Sequence, residues 1–322
     1  MALKLTEIDR QVLALIELNA DRDAASIAST LGKQIHTVHY TIRRLVERGI
    51  LGRKHPIVDG FRTGFESFSI YFSLVATEQK EREALLQSLA QFPGVLWFSE
   101  LAGRFQYAAQ LAGRSSLVAQ NFMQATTKRK AVARIERAFA IRTSFHIFPR
   151  SYFFRGARLN EVQTFRAVVE IEPLDDLDRR ILQGMSATPY TSQRNLALQL
   201  QEASATIDRR IARLRQRRIL RGFLWSVNLQ SVGVQKHKLL LFCHGAMPSF
   251  AKELFDFCSE HPSIVNLAEC LGSWDFEINA ELQSAAELSL LLAQLHERFA
   301  SEIQRIESMM VLKYRKFQMF PG

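Results

Sequence analysis

The sequence lacks any uncharged apolar run of the roughly 18 residues that a membrane-spanning helix needs. Apolar runs such as Leu239–Cys243 have the length of buried strands. The first residues, Met1 to Glu7, contain no apolar core of the kind found in signal peptides. These absences exclude a helical membrane protein, and they predict a cytoplasmic protein that has no membrane partner.

Cysteine is also scarce, with three residues, Cys243, Cys258 and Cys270. No two of them form a C-x-x-C pair, and His261, three residues after Cys258, is typical of core packing. Elsewhere His36 and His39 lie three residues apart without a third ligand nearby. The pattern predicts reduced thiols, no metal site and no cofactor.

Catalytic signatures are missing as well. The sequence contains no nucleophile triad, no glycine-rich phosphate loop and no carboxylate pair at a recognisable spacing. No catalytic residue is therefore assigned, and the sequence predicts a protein that is not an enzyme.

What the chain does have is a globular composition and an excess of positive charge. Of its 322 residues 47% are apolar and 23% are charged, which excludes wholesale disorder and low-complexity scaffolds. The 42 Lys and Arg residues exceed the 32 Asp and Glu residues by 10. Such a basic excess favours a polyanionic partner, such as nucleic acid.

The sequence also repeats itself at a constant shift. Leu5 aligns with Leu174 and Asp9 with Asp178, and the same shift places Arg44-Leu45 on Arg213-Leu214. Further along it places Pro93 on Pro262 and Gly103 on Gly272. A self-match of this length indicates a duplicated two-part unit. The segment 151–173 is expected to be a connector.

The first part of each unit has the pattern of a winged helix-turn-helix. Apolar positions predict helices over 6–18, 24–31 and 34–48, with a turn at Gly32 and an end at Gly49. Residues 50–58 are expected to form a small β wing. In the second unit Gln201 and Arg218 replace the two glycines, so the helix ends are less well defined there.

The third helix of each unit is expected to read DNA. With Val38, Ile42 and Leu45 placed inward, arginines and hydroxyl-bearing residues face outward, as they do in helices that enter a major groove. The predicted DNA-binding residues are His36, Thr37, Tyr40, Thr41, Arg43, Arg44, Thr206, Arg209, Arg210 and Arg213. Double-stranded DNA is the predicted partner.

The second part of each unit alternates strands and helices in the order β-α-β-β-α-β. This is the ferredoxin-like pattern, whose sheet keeps one open face for another copy or a ligand. The predicted fold class is α+β, with two copies of a winged helix-turn-helix followed by a ferredoxin-like domain. The predicted boundaries are 1–60 and 174–229 for the helix-turn-helix units, 61–150 and 230–322 for the sensor and dimerisation domains, and 151–173 for the connector.

These residues resemble the leucine-responsive regulatory protein/asparagine-synthesis regulator (Lrp/AsnC) family. The matching positions are Leu174, Asp178, Arg179, Leu182, Leu196-Ala197, Arg213-Leu214, Ile219-Leu220, His261 to Val265 and Leu271 to Phe276. The resemblance covers nearly the whole chain, twice. It implies a DNA-binding transcription regulator that dimerises, assembles further and commonly senses an amino acid or a related small molecule.

The resemblance also implies an effector site near the glycine hairpin of the sensor domain. Carried over to the second unit, it falls on Gly272, Ser273, Trp274 and Asp275. In the first unit it falls on Gly103, Arg104 and Gln106, where Gln106 replaces the aspartate and Arg104 adds a charge. The first unit is therefore expected to bind either no effector or an anionic one.

Duplication within one chain suggests an internal pseudo-dimer that oligomerises further. Because Tyr40 and Arg43 correspond to Arg209 and Ala212, the operator is expected to have two unlike half-sites.

Two alternatives remain open. Siroheme decarboxylases share this architecture, and His146, His237 and His244 are loose candidates for such chemistry. The other alternative is a sensor or adaptor that has lost DNA binding and binds a protein partner through its basic helices.

Overall fold

The computed structural model describes residues 3–74, 78–126, 134–154, 161–168, 170–187, 192–245 and 248–321. Two groups of three helices open the two halves of the chain. The first group is α1 (Glu7–Ile16), α2 (Ala24–Leu31) and α3 (Ile35–Glu47), and the second comprises α6 (Asp176–Ala187), α7 (Gln193–Leu200) and α8 (Ser204–Gln216). The predicted helices are confirmed to within a few residues at each end.

Local signals set the ends of these helices. Thr6 and Asp9 form a capping box at the start of α1, and Asp23 and Ser192 cap α2 and α7 through their side chains. Helices α7 and α8 end at the positions that correspond to the ends of α2 and α3 in the first unit. Gln201 and Arg218 adopt φ values of 57° and 54°, a left-handed conformation that favours glycine.

A single strand follows each helical group, and a strand is confirmed where the first wing was predicted, but it does not form a wing within its own unit. Strand β1 (Leu51–Val58) and strand β7 (Leu220–Val227) pair with each other, antiparallel, as a two-stranded sheet. Leu51 lies opposite Val227, and Ile57 lies opposite Gly222. The wing of each unit thus consists of one strand from its own unit and one from the other. An isolated strand leaves its backbone groups unpaired, which explains why the partner comes from the other half.

The remaining strands and helices follow in the predicted order. The first half contains β2 (Glu66–Leu74), α4 (Gln79–Ala90), β3 (Val95–Ala102), β4 (Tyr107–Gly113), α5 (Leu117–Ala125) and β5 (Arg134–Ile147). The second half contains β8 (Gln235–Cys243), α9 (Pro248–Glu260), β9 (Ile264–Gly272), β10 (Phe276–Leu282), α10 (Ala285–Arg298) and β11 (Ile303–Phe317).

These strands close into a barrel of eight. The order β2-β4-β3-β11-β8-β10-β9-β5 returns to β2 through the β2–β5 pairing. The long strands β5 and β11 make this possible, because each pairs along one part with its own half of the chain and along another part with the other half. Joining both edges of two four-stranded sheets in this way leaves neither sheet with an open edge at the junctions.

The predicted connector contributes one element. Strand β6 (Gln163–Arg166) pairs with β5, with Ser144 opposite Arg166 and Ile147 opposite Gln163. The alternation over 163–166 is too short to stand out in the sequence, so this strand was not predicted.

The apolar core of the barrel region lies mostly outside the barrel, beneath the helices. Helices α9 and α10 cover β8–β10 with residues such as Leu254 and Leu295, and α4 and α5 cover β2–β4 with Leu86 and Phe122. Inside the barrel one region is apolar, around Trp274, and the other contains buried charged side chains. Within the described residues, no helix is long and apolar enough to cross a membrane.

Candidate DNA interface and interdomain cavities

Helix α3 presents a mixed polar face to solvent. His36, Tyr40 and Arg43 are exposed, with Tyr40 at 60%, and Thr37 is half-buried. Among the described residues Arg43 has no ion-pair partner, so its guanidinium is available to a ligand in solution.

Two other predicted DNA contacts of this helix serve the fold instead. Asp9 is fully buried, and Arg44 Nη2 lies 2.5 Å from its Oδ1, while Arg48 lies 3.7 Å from Oδ2. Arg44 therefore anchors α3 to α1, and its guanidinium is engaged within the protein, unlike that of Arg43. Thr41 is 1% exposed, because its position between the inward Val38 and Leu45 turns it to the core.

The second unit also pairs its buried aspartate with two arginines, of which Arg217 aligns with Arg48 and Arg210 with Thr41. Asp178 is buried, and it accepts a hydrogen bond from Arg210 Nη1 at 3.3 Å, with Arg217 at 3.7 Å. Arg210, predicted to contact DNA, is thus a structural residue. Arg209 and Arg213 are exposed without an ion pair to the described residues, and Thr206 is half-buried. Within the described part of the two helices, the free cations are Arg43, Arg209 and Arg213.

The predicted effector residues of the second unit join the two halves of the barrel. Ser273 N–H donates to the carbonyl of Phe139 at 2.9 Å, and Phe139 N–H donates back to Ser273 Oγ at 3.1 Å. A Cβ on Gly272 would lie 2.5 Å from the Phe139 carbonyl oxygen, so this position has no room for a side chain. Trp274 is buried in the barrel, and Asp275 accepts from the Cys243 amide at 2.8 Å.

The hairpin of the first unit makes the corresponding contact with β11. Arg104 pairs with Glu136 and with Glu307, and Gly103 packs against Met309. Gln106 Oε1 accepts from the Leu74 amide at 3.2 Å. The structure places these residues and those of the second hairpin at two separate junctions, where Ser273, Asp275, Arg104 and Gln106 are bonded within the protein and Trp274 Nε1 has no hydrogen-bond partner among the described residues.

Two cavities lie between the barrel and the helical units. The larger, about 1350 Å³, is bounded by β7, β11 and the start of β8. Among the described residues its lining contains no Asp or Glu; its charged and aromatic members are Arg53, His55, Phe92, Arg150, Trp225, Lys236, Lys313, Tyr314, Arg315, Lys316 and Phe317. Arg150, Lys236, Lys313 and Arg315 pair with carboxylates outside the lining, whereas Arg53 and Lys316 have no ion pair with the described residues, so these two cations favour an anion here.

The smaller cavity, about 190 Å³, lies at the mouth of the barrel. Four cations line it, namely Arg142, Arg150, Lys236 and Lys238. The two cavities share Tyr314 and Phe317 of β11.

Buried carboxylates hold these cations in place. Glu277 accepts from Lys238 Nζ at 2.8 Å and from Arg142 Nη2 at 3.0 Å. Burial by itself would raise the pKa of Glu277, but the charges of Arg142 and Lys238 outweigh it and lower the pKa to about 2. Burial also lowers the pKa of Lys238. The carboxylate is therefore ionised at neutral pH and fixes both cations.

A second carboxylate ties the barrel to the first helical unit. Glu281 accepts from Arg150 Nε at 2.7 Å and from the Tyr152 hydroxyl at 2.6 Å. Arg150 also pairs with the buried Glu17, which follows α1. One guanidinium thus connects a barrel strand to a helical unit.

The histidines considered for decarboxylase chemistry do not line either cavity. His146 packs against Phe255 and bonds to Thr164 at 3.0 Å, His237 is buried, and His244 is exposed. Among the described residues, no group of three or more His, Cys, Asp or Glu side chains could hold a metal ion.

The cavity cations were not predicted from the sequence. Lys236 and Lys238 alternate along β8, and Glu277, Asn279 and Glu281 follow one another in steps of two along β10. Residues at this spacing share one face of a strand. Alternating charges would normally indicate a solvent face, but closure of the barrel turns this face inward.

Solved structures resemble this chain over its whole length. A siroheme decarboxylase, NirDL, in co-complex with an iron-uroporphyrin III analogue, aligns with a TM-score of 0.57 and 14% identity, covering 98% of this chain and 94% of that one. A likeness at this identity establishes a shared fold.

The prediction that the protein is not an enzyme is contradicted, because the solved structure that matches nearly the whole chain is that of an enzyme, a siroheme decarboxylase. The prediction depended on catalytic residues at short, fixed spacings. Such spacings cannot reveal cavities whose lining residues come from both halves of the chain.

No family model matches the chain. The HTH-type transcriptional regulator FL11 of Pyrococcus horikoshii is 23% identical over 123 residues, which are 38% of this chain and 80% of the relative. An uncharacterised HTH-type transcriptional regulator of Pyrococcus abyssi is 31% identical over 107 residues, 33% of this chain and 71% of the relative. The chain therefore belongs to the family of HTH-type transcriptional regulators.

Proposed function

We propose that this chain is an Lrp/AsnC-type transcription regulator formed by two copies of one unit, with α3 and α8 as its recognition helices. The observation that carries the proposal is the separation of roles among the helix arginines. Buried aspartates engage Arg44, Arg48, Arg210 and Arg217, whereas Arg43, Arg209 and Arg213 remain exposed without ion pairs among the described residues. Free guanidinium groups on an exposed helix suit phosphates and guanine edges.

The pairing of β1 with β7 supports a fixed spacing of the two helices. Because the two helical units share this sheet, one chain would present both recognition helices, as a dimer does for a two-part operator. The reading faces differ, with Tyr40 and Arg43 on one and Arg209 on the other. The proposed operator therefore has two unlike half-sites. The domain boundaries expected from the sequence, the internal pseudo-dimer and a small-molecule effector form part of the same proposal.

Fluorescence anisotropy with the DNA upstream of the protein's own gene tests this function. The Arg209→Ala/Arg213→Ala variant is expected to bind about 10- to 100-fold more weakly, since removing a base-reading arginine costs about 1–3 kcal/mol. Its affinity should also depend less steeply on salt, by about 0.9 in the logarithmic slope for each phosphate that an arginine no longer neutralises. Lys252→Ala/Arg305→Ala removes the same charge from exposed positions on α9 and β11 and serves as the matched control.

Equal losses of affinity in the two double variants would show that net charge, and not the helix face, causes binding. Absence of binding to this DNA and to random DNA would contradict the proposal and favour the adaptor alternative.

A second function is favoured by one specific observation, the lining of the 1350 Å³ cavity, which has no carboxylate among the described residues. The solved decarboxylase was crystallised with an iron-uroporphyrin III analogue. Such a molecule carries several carboxylates around a flat aromatic ring. Arg53 and Lys316 could pair with carboxylates while Trp225 and Phe317 contact the ring. We propose a siroheme decarboxylase-like activity as the second candidate.

Absorption titration with iron uroporphyrin III tests this candidate. A shift of the main porphyrin band that Arg53→Gln/Lys316→Gln weakens about tenfold is expected if the cavity binds the molecule. Release of carbon dioxide from siroheme would then establish catalysis. An unshifted band in the wild-type protein would exclude this candidate, whatever the outcome with DNA.

A further inference from the structure

The 190 Å³ cavity at the barrel mouth has an apolar wall and a charged floor. Phe61, Trp97, Phe145 and Phe165 belong to its lining, and Arg142 and Lys238 reach it from inside the barrel. An apolar cavity of about 150 Å³ accommodates benzene. This cavity therefore has room for one aromatic ring together with a small polar group.

Arg142 has unused hydrogen-bonding capacity inside this cavity. Its side chain is 6% exposed, and Nη2 donates to Glu277, but Nε has no hydrogen-bond partner in the described part of the chain. Its guanidinium carbon lies 5.1 Å from the centre of the Phe145 ring. A buried cation with an unsatisfied N–H is unfavourable, so a ligand carboxylate that approaches the part of the guanidinium that Glu277 leaves unbonded would be bound selectively.

The neighbouring cation differs from Arg142 in this respect. Lys238 Nζ donates to Glu277 and to Asn279 at 3.1 Å, and it lies 4.1 Å from the centre of the Trp97 ring. The ammonium group of Lys238 therefore has hydrogen-bond partners within the protein, and it contributes positive charge to the cavity but no unbonded donor. Of the lining residues, Glu66 is the carboxylate, and it is exposed at the rim. The lining thus presents cations, while their buried partners Glu277 and Glu281 lie outside it, and the incompletely bonded Arg142 favours an anionic group.

We propose that this cavity binds a small aromatic carboxylate of about the size of phenylacetate. The carboxylate accepts from Arg142 in a charge-assisted hydrogen bond, and the ring packs between Phe145, Phe165 and Trp97. This site is separate from the two hairpin junctions that the sequence suggested for an effector.

The position of the cavity connects such a ligand to the helical units. Leu18, which follows α1, and Val58, which ends β1, form part of the lining together with Leu224 of β7. Arg150 also lines the cavity, and it holds Glu17 of the first helical unit. A ligand here would contact both the barrel and the segments that support α3. Control of DNA binding by the ligand rests on the proposed regulator function, whereas binding itself does not.

Calorimetric titration of the full chain with phenylacetate tests binding directly, and quenching of tryptophan fluorescence provides a second readout because Trp97 lines the cavity. Phenylacetamide, with the same shape and no charge, is expected to bind at least about tenfold more weakly. Phenethylammonium, which carries the opposite charge, should not bind. Equal affinity for the acid and the amide, tighter binding of the ammonium compound, or no binding of phenylacetate at any soluble concentration would overturn the proposal.

Two variants test the location. Arg142→Gln should weaken phenylacetate binding at least about tenfold while leaving phenylacetamide nearly unchanged. Because Arg142 also neutralises Glu277, this variant could unfold. Ala112→Leu fills the cavity from a lining position outside the ionic network, and it should abolish binding of both compounds while the circular dichroism spectrum stays native. Native Ala112→Leu protein that still binds phenylacetate would place the ligand elsewhere.

DNA binding is measured in parallel on the same preparations. Ligand binding without DNA binding would contradict the regulator function and leave the cavity proposal intact. DNA binding without ligand binding would contradict the cavity proposal and leave the regulator function intact.

Discussion

Arg210 Nη1 lies 3.3 Å from the buried carboxylate of Asp178, although it is Arg213 that aligns with the aspartate-binding Arg44 of the first unit. The ionic anchor is therefore of the same type in the two halves but is formed from another turn of the helix. This displacement leaves Arg213 free of ion pairs with the described residues on the surface of α8, where Arg44 is engaged on α3.

Replacement of Arg210 should therefore affect stability, whereas replacement of Arg213 should affect DNA binding. Arg210→Ala removes a charged hydrogen bond to a buried carboxylate, so the free energy of unfolding should fall by about 1.5–3 kcal/mol. Arg213→Ala should change it by less than about 0.5 kcal/mol, as is usual for exposed positions, and should weaken DNA binding instead. Urea denaturation of the two variants measures the difference, and equal destabilisation would show that Arg213 also has a structural role.

Gln201 and Arg218 offer sites for stabilisation. Both adopt left-handed backbone conformations, which cost a residue with a side chain roughly 1–2 kcal/mol. Gln201→Gly and Arg218→Gly should each raise the free energy of unfolding by up to about 1 kcal/mol, since glycine also loses more entropy on folding. Thermal denaturation would show this as higher midpoints. As the matched control, Gly32→Gln in the first unit should lower the midpoint, and a rise there would contradict this explanation.

Gly272 should tolerate no side chain, because a Cβ would lie 2.5 Å from the Phe139 carbonyl oxygen. Gly222 has a similar φ, 140° against 147°, but open space around its Cβ position. Gly222→Ala reports the cost of the backbone conformation alone. Gly272→Ala adds the clash at the junction of β9 and β5, which should lower its free energy of unfolding by about 1–3 kcal/mol more. Chemical denaturation that gives the two variants equal stability would show that the junction can relax.

His55 should make the protein less stable in acid. Burial, assisted by the charge of Arg53, lowers the pKa of His55 to about 4 from 6.5. Below pH 6.5 the unfolded chain takes up a proton that the folded chain does not, so stability is full above pH 6.5 and decreases as the pH falls to 4. A pKa shift of this size changes the free energy of unfolding by about 3 kcal/mol between neutral pH and pH values below 4.

Denaturation of wild type and His55→Gln at about pH 7.5 and about pH 4.5, on either side of the ordinary histidine pKa, measures this contribution. The variant should lose less stability than wild type between the two values. Identical losses would show that His55 becomes protonated in the folded state without cost, for example by turning away from the Phe317 ring, whose centre lies 5.1 Å from that of the imidazole.

The helices and strands could be predicted from the sequence because their signals are local. The apolar stripe that includes Val38 and Leu45 and the alternation along β2–β4 depend on residues a few positions apart. The same is true of the capping pair Thr6 and Asp9. Such patterns fix the type of an element, and they placed most ends within a few residues.

The candidate site could be predicted only in part. The helical periodicity of α3 correctly predicted that Arg43 is exposed. It also placed Arg44 and Thr41 on the DNA-binding face, because periodicity does not show which neighbouring helix a flanking residue contacts. Only the packing of α1 against α3 shows that the buried Asp9 requires a cation.

Sequence by itself determined the order of elements, the basic helix faces and the internal similarity of the two halves, since each is written in short-range patterns or in the chain's alignment with itself. Tertiary structure alone decided that β1 pairs with β7, that β5 and β11 close one barrel, and that Lys238 and Glu277 lie inside it. The physical reason is that a strand's unpaired edge and a buried charge must each find a partner, and here those partners lie far away in the sequence.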